Sequence, residues 1–128
     1  QYDIILVQIG ANDIIRLTKM DEIKLSAEKI IEKLAPKTKK LIILHSGNIG
    51  NSKFFPLYVR SWLKNRSYDV RETYQELAKK YGVQYIDLID APSDELFKQD
   101  PKRYYADDML HLNDEGYGLW FEEIKKKL

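Results

Sequence analysis

The chain has 128 residues and a formal net charge of +1, which fits a single domain with a modest core. Acidic and basic residues are interspersed, so the charge pattern excludes an extended basic surface for nucleic acid or an anionic membrane. The absence of cysteine excludes disulfide bonds and thiolate metal sites and leaves the compartment open. No stretch reaches the roughly 18–20 apolar residues that span a bilayer.

The first half of the chain alternates strand-like and helix-like patterns. Residues Tyr2–Ile9 form a continuous apolar run, which predicts a strand buried on both faces. Apolar residues at helical spacing predict a helix over Asp21–Leu34, which Pro36 helps to end. Leu41–Leu44 is a second continuous apolar run and predicts a second buried strand.

A loop rich in Gly, Asn and Ser is expected over His45–Pro56, followed by a short helix or turn over Leu57–Leu63. Apolar periodicity predicts a helix over Ser67–Tyr81 with Gly82 as its C-terminal stop. Val83–Leu88 then predicts a third strand.

The last part of the chain predicts a short helical piece around Asp94–Lys98 and a final helix. Asn113 is a suitable N-cap for that helix, and Asp114 and Glu115 suit its first turn. The β-α-β-α-β-α order, with strands of the buried type, predicts an α/β fold in which helices cover both faces of a parallel sheet.

Polar segments follow each of the three predicted strands. Asn12 follows the first, residues 46–51 follow the second, and a segment with Asp108 and His111 lies beyond the third. Sites in such folds form beyond the carboxyl ends of the strands, so we expect these segments to meet at one rim.

The spacing of Asp108 and His111 suits acid–base chemistry. A carboxylate three residues before a histidine can accept a hydrogen bond from Nδ1–H and leave Nε2 as a general base. A D-x-x-H pattern alone is also compatible with a surface histidine beside a helix N-cap. Asn12, within Gly10-Ala11-Asn12-Asp13, can likewise be read as a turn asparagine after a strand.

Together, Gly10-Ala11-Asn12-Asp13 and Asp108-Met109-Leu110-His111 resemble the third block (G-x-N-D) and the last block (D-x-x-H) of the SGNH, or GDSL, hydrolases. The resemblance runs from Tyr2 to Phe121 and implies a single SGNH-hydrolase-like domain over residues 1–128. The fold it implies is a three-layer α/β/α sandwich with a flavodoxin-like, five-stranded parallel sheet. By this resemblance Tyr2–Ile9 is the third strand, and the first two strands are missing from the chain.

The family's first block, a Gly-Asp-Ser turn that carries the nucleophile, has no counterpart in these residues, and neither does the second-block glycine. Both are expected ahead of Gln1, where any signal peptide or anchor would also lie. Without the first strands, Tyr2–Ile9 would form a bare apolar edge. We therefore expect either the missing N-terminal segment of the same protein or another copy to cover that edge.

The resemblance implies a serine carboxylic-ester hydrolase that works through an acyl-enzyme. His111 would be the general base, Asp108 would orient its ring, and Asn12 would donate to the oxyanion hole. The chain alone is expected to be inert because the serine is elsewhere. No cofactor is expected, and with only His45 and His111 a zinc site is not expected either.

Ser46 beside His45 does not make the G-x-S-x-G elbow of another hydrolase class, so we expect it to line the cleft. Four aromatic residues can be read either as a wall or lid for an apolar group or as ordinary packing: Phe54, Phe55, Tyr58 and Trp62.

Three other functions stay open: a non-catalytic SGNH-like binding domain, an acyltransferase with the same triad, and a flavodoxin-like phosphate binder. The last is disfavoured because no glycine-rich phosphate loop is present. The expected substrate is a small-molecule, lipid or sugar ester.

Overall fold

The computed structural model describes residues 1–128 and contains one three-stranded parallel sheet. Its strands are β1 (Tyr2–Ile9), β2 (Thr38–His45) and β3 (Gln84–Ile86), in the order β1-β2-β3. Leu6 pairs with Ile42, which in turn pairs with Gln84. The predicted parallel α/β architecture is confirmed, and β3 is shorter than the predicted third strand.

Six α-helices connect and cover the strands. They are α1 (Ala11–Ile15), α2 (Met20–Leu34), α3 (Leu57–Tyr81), α4 (Pro92–Gln99), α5 (Pro101–Tyr104) and α6 (Asp114–Lys125), with 3₁₀ turns at Ala35–Lys37 and Ile49–Asn51. The predicted helices at α2, α4 and α6 are present, whereas α1 and α5 were not predicted. No helix is both long enough and apolar enough to cross a membrane.

The core lies on both faces of the sheet because the side chains of β2 alternate between them. Leu41 and Ile43 point into one cluster, and Ile42 and Leu44 point into the other. The first cluster joins β2 to α1, α2 and α3, and the second joins β2 and β3 to α4, α5 and α6. Burial of each such aliphatic side chain contributes roughly 1.5–3 kcal/mol, so β2 anchors both layers.

β1 is covered on one face only. Ile5, Val7 and Ile9 pack against the first cluster, but Ile4 and Leu6 are 47% and 46% exposed. The prediction that this strand is buried on both faces is therefore wrong for this chain. The physical reason is that α4, α5 and α6 reach β2 and β3 without covering β1.

The third helix is continuous, whereas two separate elements, Leu57–Leu63 and Ser67–Tyr81, were predicted. Residues 64–66 are polar, but they lie outside the buried stripe of α3, which includes Leu63, Ser67 and Val70. Ser67 is tolerated in that stripe because its hydroxyl donates to the carbonyl of Leu63 at 2.9 Å. Gly82, at φ 64°, ends the helix as predicted.

Candidate active site

The three polar segments lie around one cavity at the carboxyl ends of the strands. Asn12, Ser46 and His111 all line this cavity, which has a volume of about 570 Å³. The expectation that the segments share a rim therefore agrees with the geometry.

Asn12 is held at the cavity by a tight turn from β1 into α1. Gly10 adopts φ 109°, which a side chain would disfavour, and a Cβ there would lie 3.1 Å from the Tyr74 ring. Ile14 is fully buried and anchors the short helix in the first core cluster. This anchoring leaves Asn12, two residues earlier, exposed at the cavity.

Asp108 and His111 form a compact hydrogen-bonded turn. The Nδ1 atom of His111 lies 2.6 Å from Oδ2 of Asp108. The other carboxylate oxygen, Oδ1, accepts the backbone N–H groups of Leu110 and His111, each at 2.9 Å. The carboxylate is thus fixed by three donors, and in the neutral ring Nε2 is left as the free acceptor.

The same contacts stabilise the charged form of Asp108. The hydrogen bond from His111, followed by the two backbone donors, lowers the pKa of the Asp108 carboxyl to about 2. Asp108 therefore stays ionised at neutral pH, and its partial exposure to solvent also favours the charged form, since the side chains of His111 and Asp108 are 68% and 45% exposed.

The backbone around this turn is held from both sides. Met109 adopts φ 57°, an uncommon conformation for a non-glycine residue, and its carbonyl accepts the Ser52 hydroxyl at 2.7 Å. The backbone N–H of Ala106 donates to the carbonyl of His111 at 2.8 Å. After the turn, the Asn113 side chain accepts the N–H of Gly116 at 3.0 Å and caps α6, as predicted.

His45 does not line the cavity. It is fully buried at the end of β2, beside the Tyr74 ring and under Gly10. Its Nδ1 is hydrogen-bonded to the backbone carbonyl of Ser46, and its Nε2 has no partner within the protein. Burial lowers the pKa of the imidazole to about 4, so His45 is neutral at physiological pH.

The side-chain hydroxyl of Ser46 has no hydrogen-bond partner within the protein, so His45 is not positioned to activate it. No group of three or more His, Cys, Asp or Glu side chains is arranged to hold a metal ion.

The four aromatic residues offered as a wall or lid, Phe54, Phe55, Tyr58 and Trp62, do not line the cavity. Phe55 packs against the first core cluster, and the other three are largely exposed. Sequence reasoning missed the residues that form the apolar wall: Ile15, Ile49, Phe97, Tyr105, Leu110, Leu112, Tyr117 and Trp120. The i, i+3 spacing of Tyr117 and Trp120 in the last helix was the available signal.

A scan against family models finds that the GDSL-like Lipase/Acylhydrolase family matches residues 1–119. A search of curated proteins finds no significant match.

Among solved structures, the chain is similar to a catalytic mutant of an acetylxylan esterase from Geobacillus stearothermophilus. The TM-score is 0.70 at 14% identity, over 97% of this chain and 58% of that chain. It is also similar to an alpha/beta hydrolase enzyme from the metagenome of Lake Arreo, Spain, with TM-score 0.64 at 19% identity, over 95% of this chain and 57% of that chain. The chain thus spans less than two thirds of the length of these structures, and likeness at this identity concerns the fold.

Proposed function

The chain belongs to the GDSL-like lipase/acylhydrolase family, and we propose that it supplies the histidine, the aspartate and one oxyanion donor of a serine carboxylic-ester hydrolase. The observation that carries the proposal is the 2.6 Å contact between His111 Nδ1 and the Asp108 carboxylate. His111 also lines a cavity together with Asn12. The serine would come from residues outside this sequence.

In the proposed first half-reaction, His111 acts as the general base. With Nδ1–H donated to Asp108, Nε2 accepts the proton of the serine hydroxyl as its oxygen bonds to the ester carbonyl carbon. The bond to the alcohol oxygen then breaks, and the proton passes from Nε2 to the departing alcohol. The ionised Asp108 stabilises the transient imidazolium.

In the second half-reaction, water replaces the alcohol. His111 takes a proton from water, the hydroxide oxygen attacks the acyl carbon, and the acid leaves while the serine recovers its proton. No metal or cofactor is required for either step. An acyltransferase would differ only in using another alcohol in place of water.

Asn12 is the proposed side-chain donor to the oxyanion. Its exposed amide, on a helix fixed by the buried Ile14, can offer N–H to the negative oxygen that forms during attack. One such donor is worth about 2.7–4 kcal/mol in a comparable enzyme. Asp13 is not assigned a catalytic role because a carboxylate near the oxyanion would oppose its formation.

Similarity to acetylxylan esterases makes acetyl esters of hydroxylated compounds a reasonable first substrate class to assay. The test uses the full-length protein and hydrolysis of p-nitrophenyl acetate. His111→Ala should lower turnover by several orders of magnitude, because loss of a triad member costs up to about 10⁶-fold elsewhere.

A matched control is Asp107→Ala, which changes an exposed residue beside the same turn and should leave turnover unchanged. When the native protein is mixed with p-nitrophenyl acetate, mass spectrometry should also detect an acetylated serine. Absence of turnover in the full-length protein would favour the binding domain, whereas preferential transfer of acetyl to added alcohol would favour the acyltransferase. Full activity of His111→Ala would contradict the proposed mechanism.

A further inference from the structure

The turn over Asp108–His111 is fastened by a serine from a distant part of the chain. The hydroxyl of Ser52 donates to the carbonyl of Met109, 57 residues later, at 2.7 Å. The same hydroxyl oxygen accepts the N–H of Phe54 at 3.2 Å, so its two neighbours fix its direction. Ser52 is only 2% exposed, and water therefore has little access to this hydrogen bond.

The segment that presents Ser52 is itself firmly held. Oδ1 of Asn48 accepts the N–H of Gly50 at 2.9 Å, which closes the turn before the serine. A Cβ on Gly50 would lie 2.5 Å from the carbonyl oxygen of Arg60 and 2.8 Å from the amide nitrogen of Lys64. Because only a glycine fits this close approach, the loop backbone packs directly on α3, and the Ser52 hydroxyl is presented from a rigid base.

The peptide group that Ser52 holds is also a hydrogen-bond donor to Asp108. The Met109 carbonyl and the Leu110 N–H belong to one planar peptide unit. Ser52 binds the carbonyl end, and the N–H end donates to Oδ1 of Asp108 at 2.9 Å. Oδ2 of the same carboxylate lies 2.6 Å from Nδ1 of His111. Rotation of this peptide would therefore remove one of the three donors that fix the carboxylate.

Met109 is the residue of the turn that most needs such a hold. Its φ of 57° lies in the left-handed region, which is uncommon for a residue other than glycine. Strained backbone of this kind persists where the surrounding structure fixes it. The N–H of Met109 donates to the carbonyl of Ala106 at 2.9 Å, and Ser52 supplies the bond on the carbonyl side.

We propose that Ser52 is a positioning residue for the acid–base pair. By locking the Met109–Leu110 peptide, it fixes the direction of the Asp108 carboxylate and, through it, the tautomer and the aim of the His111 ring. The inference rests on the proposed ester hydrolase function and adds to it a residue that acts through Asp108. Misplacement of a catalytic group by about 1 Å can cost on the order of 10²-fold in rate.

The kinetic test replaces Ser52 in the full-length protein. Ser52→Ala should lower kcat for p-nitrophenyl acetate by about 10–100-fold with KM within about twofold, because the pair acts on the transition state and not on ground-state binding. Ser52→Cys, whose thiol fills similar space but is a weak donor, should lose activity in the same direction. It provides the test if Ser52→Ala does not fold.

Ser93→Ala is the matched control. Ser93 is 1% exposed, and its hydroxyl donates to Oε2 of Glu123 at 2.9 Å, so its loss also removes a hydrogen bond from a buried serine. Ser93 does not line the cavity. The control should therefore leave kcat unchanged, even where urea denaturation shows that it lowers stability.

A second readout does not depend on turnover. In the full-length protein with ¹⁵N-labelled histidine, the ring ¹⁵N chemical shifts report which nitrogen of the neutral His111 ring carries the proton, and His111→Ala identifies the signals. The native protein should show the Nδ1–H tautomer. Ser52→Ala should populate the Nε2–H tautomer as well, whereas Ser93→Ala should match the native protein.

The two readouts separate the positioning role from the proposed function. A native kcat and an unchanged tautomer in folded Ser52→Ala or Ser52→Cys would overturn the positioning role and leave the hydrolase standing. An equal fall in kcat for Ser93→Ala would also overturn it. A changed tautomer in Ser52→Ala, with no hydrolysis by the native protein, would retain the positioning role and reject the hydrolase.

Discussion

The two histidines of the chain show how differently one side chain can be used. His45 ends β2, is fully buried and has no partner for Nε2. His111 lies in an exposed turn where Asp108 holds Nδ1 at 2.6 Å. Burial lowers the pKa of His45 to about 4, whereas the carboxylate beside His111 holds its ring in one orientation and leaves Nε2 free.

The difference lies in what surrounds each ring. His45 supports the Gly10 turn that presents Asn12, so its contribution to the site is packing. His111 has solvent access, a fixed tautomer and a carboxylate that remains ionised. Only the second set of properties is suited to proton transfer at neutral pH. Five variants would break or sharpen this contrast.

The largest effect is expected for Asp108→Asn in the full-length protein. The amide keeps the size of the side chain but can present its NH₂ group to Nδ1, which favours the wrong imidazole tautomer. The equivalent change costs about 10⁴-fold in kcat in a serine protease. Steady-state hydrolysis of p-nitrophenyl acetate measures it, with Asp107→Asn as the control. A loss below tenfold would remove Asp108 from the mechanism.

Asn12→Ala tests the role of the Asn12 amide, which the Gly10 turn places at the cavity. If the amide donates to the oxyanion, kcat should fall by about 10²–10³ with little change in KM. Asn65→Ala, on the exposed side of α3, is the matched control. An effect confined to KM would show that Asn12 binds substrate without stabilising the transition state.

The Asp108–His111 pair and the position of Asn12 could be predicted from the sequence because the signals for both lie in short stretches of the chain. Asp108 and His111 are close in the chain, and Asn113 caps the helix that follows, so short-range spacing was informative. Asn12 directly follows a strand, which indicated the rim. Their catalytic roles remain predictions.

What sequence could not reveal depends on tertiary contacts. The apolar run of β1 indicates a preference for burial but not which elements cover it, so periodicity alone predicted burial on both faces. The exposure of Ile4 and Leu6 agrees instead with the bare apolar edge that the family resemblance implied. Polar residues 64–66 looked like a break because the outer face of a long helix and a loop have similar composition. The position of Trp120 on the cavity wall depends on how α6 packs against α4.

His45→Phe tests the buried member of the pair through the pH dependence of stability. Between pH 6.5 and about 4 the unfolded chain protonates this histidine and the folded chain does not. Acidification through this range should therefore lower the free energy of unfolding by about 3 kcal/mol on account of His45. Phenylalanine abolishes that contribution, so the variant should gain stability relative to the native protein as pH falls.

Asp94 acts in the opposite direction over the same range. Burial raises its pKa to about 6, so its protonation stabilises the folded state as pH falls below that value and the effect is lost as pH rises through it. Asp94→Asn should accordingly lose stability relative to the native protein on acidification. Urea denaturation at pH 4, 5, 6 and 7 measures both variants. Parallel curves for His45→Phe and the native protein would refute the assignment of His45.

The smallest effect is expected for Asn113→Ala. It removes the acceptor for the Gly116 N–H at the start of α6 and should cost about 1 kcal/mol of unfolding free energy. Asn113→Asp keeps an acceptor at this position and is the matched control. Urea denaturation at pH 7 distinguishes the two, and equal stability of Asn113→Ala and the native protein would show that the cap is dispensable.

The hydrogen bond from the Ser52 hydroxyl to the Met109 carbonyl joins two segments 57 residues apart. Its consequence concerns protein engineering. The eight residues from Ala106 to Asn113 are not a portable module, because their backbone is held in part by a serine from the loop beyond β2. A graft of this turn into another scaffold would need a hydroxyl donor at the corresponding place to reproduce the geometry.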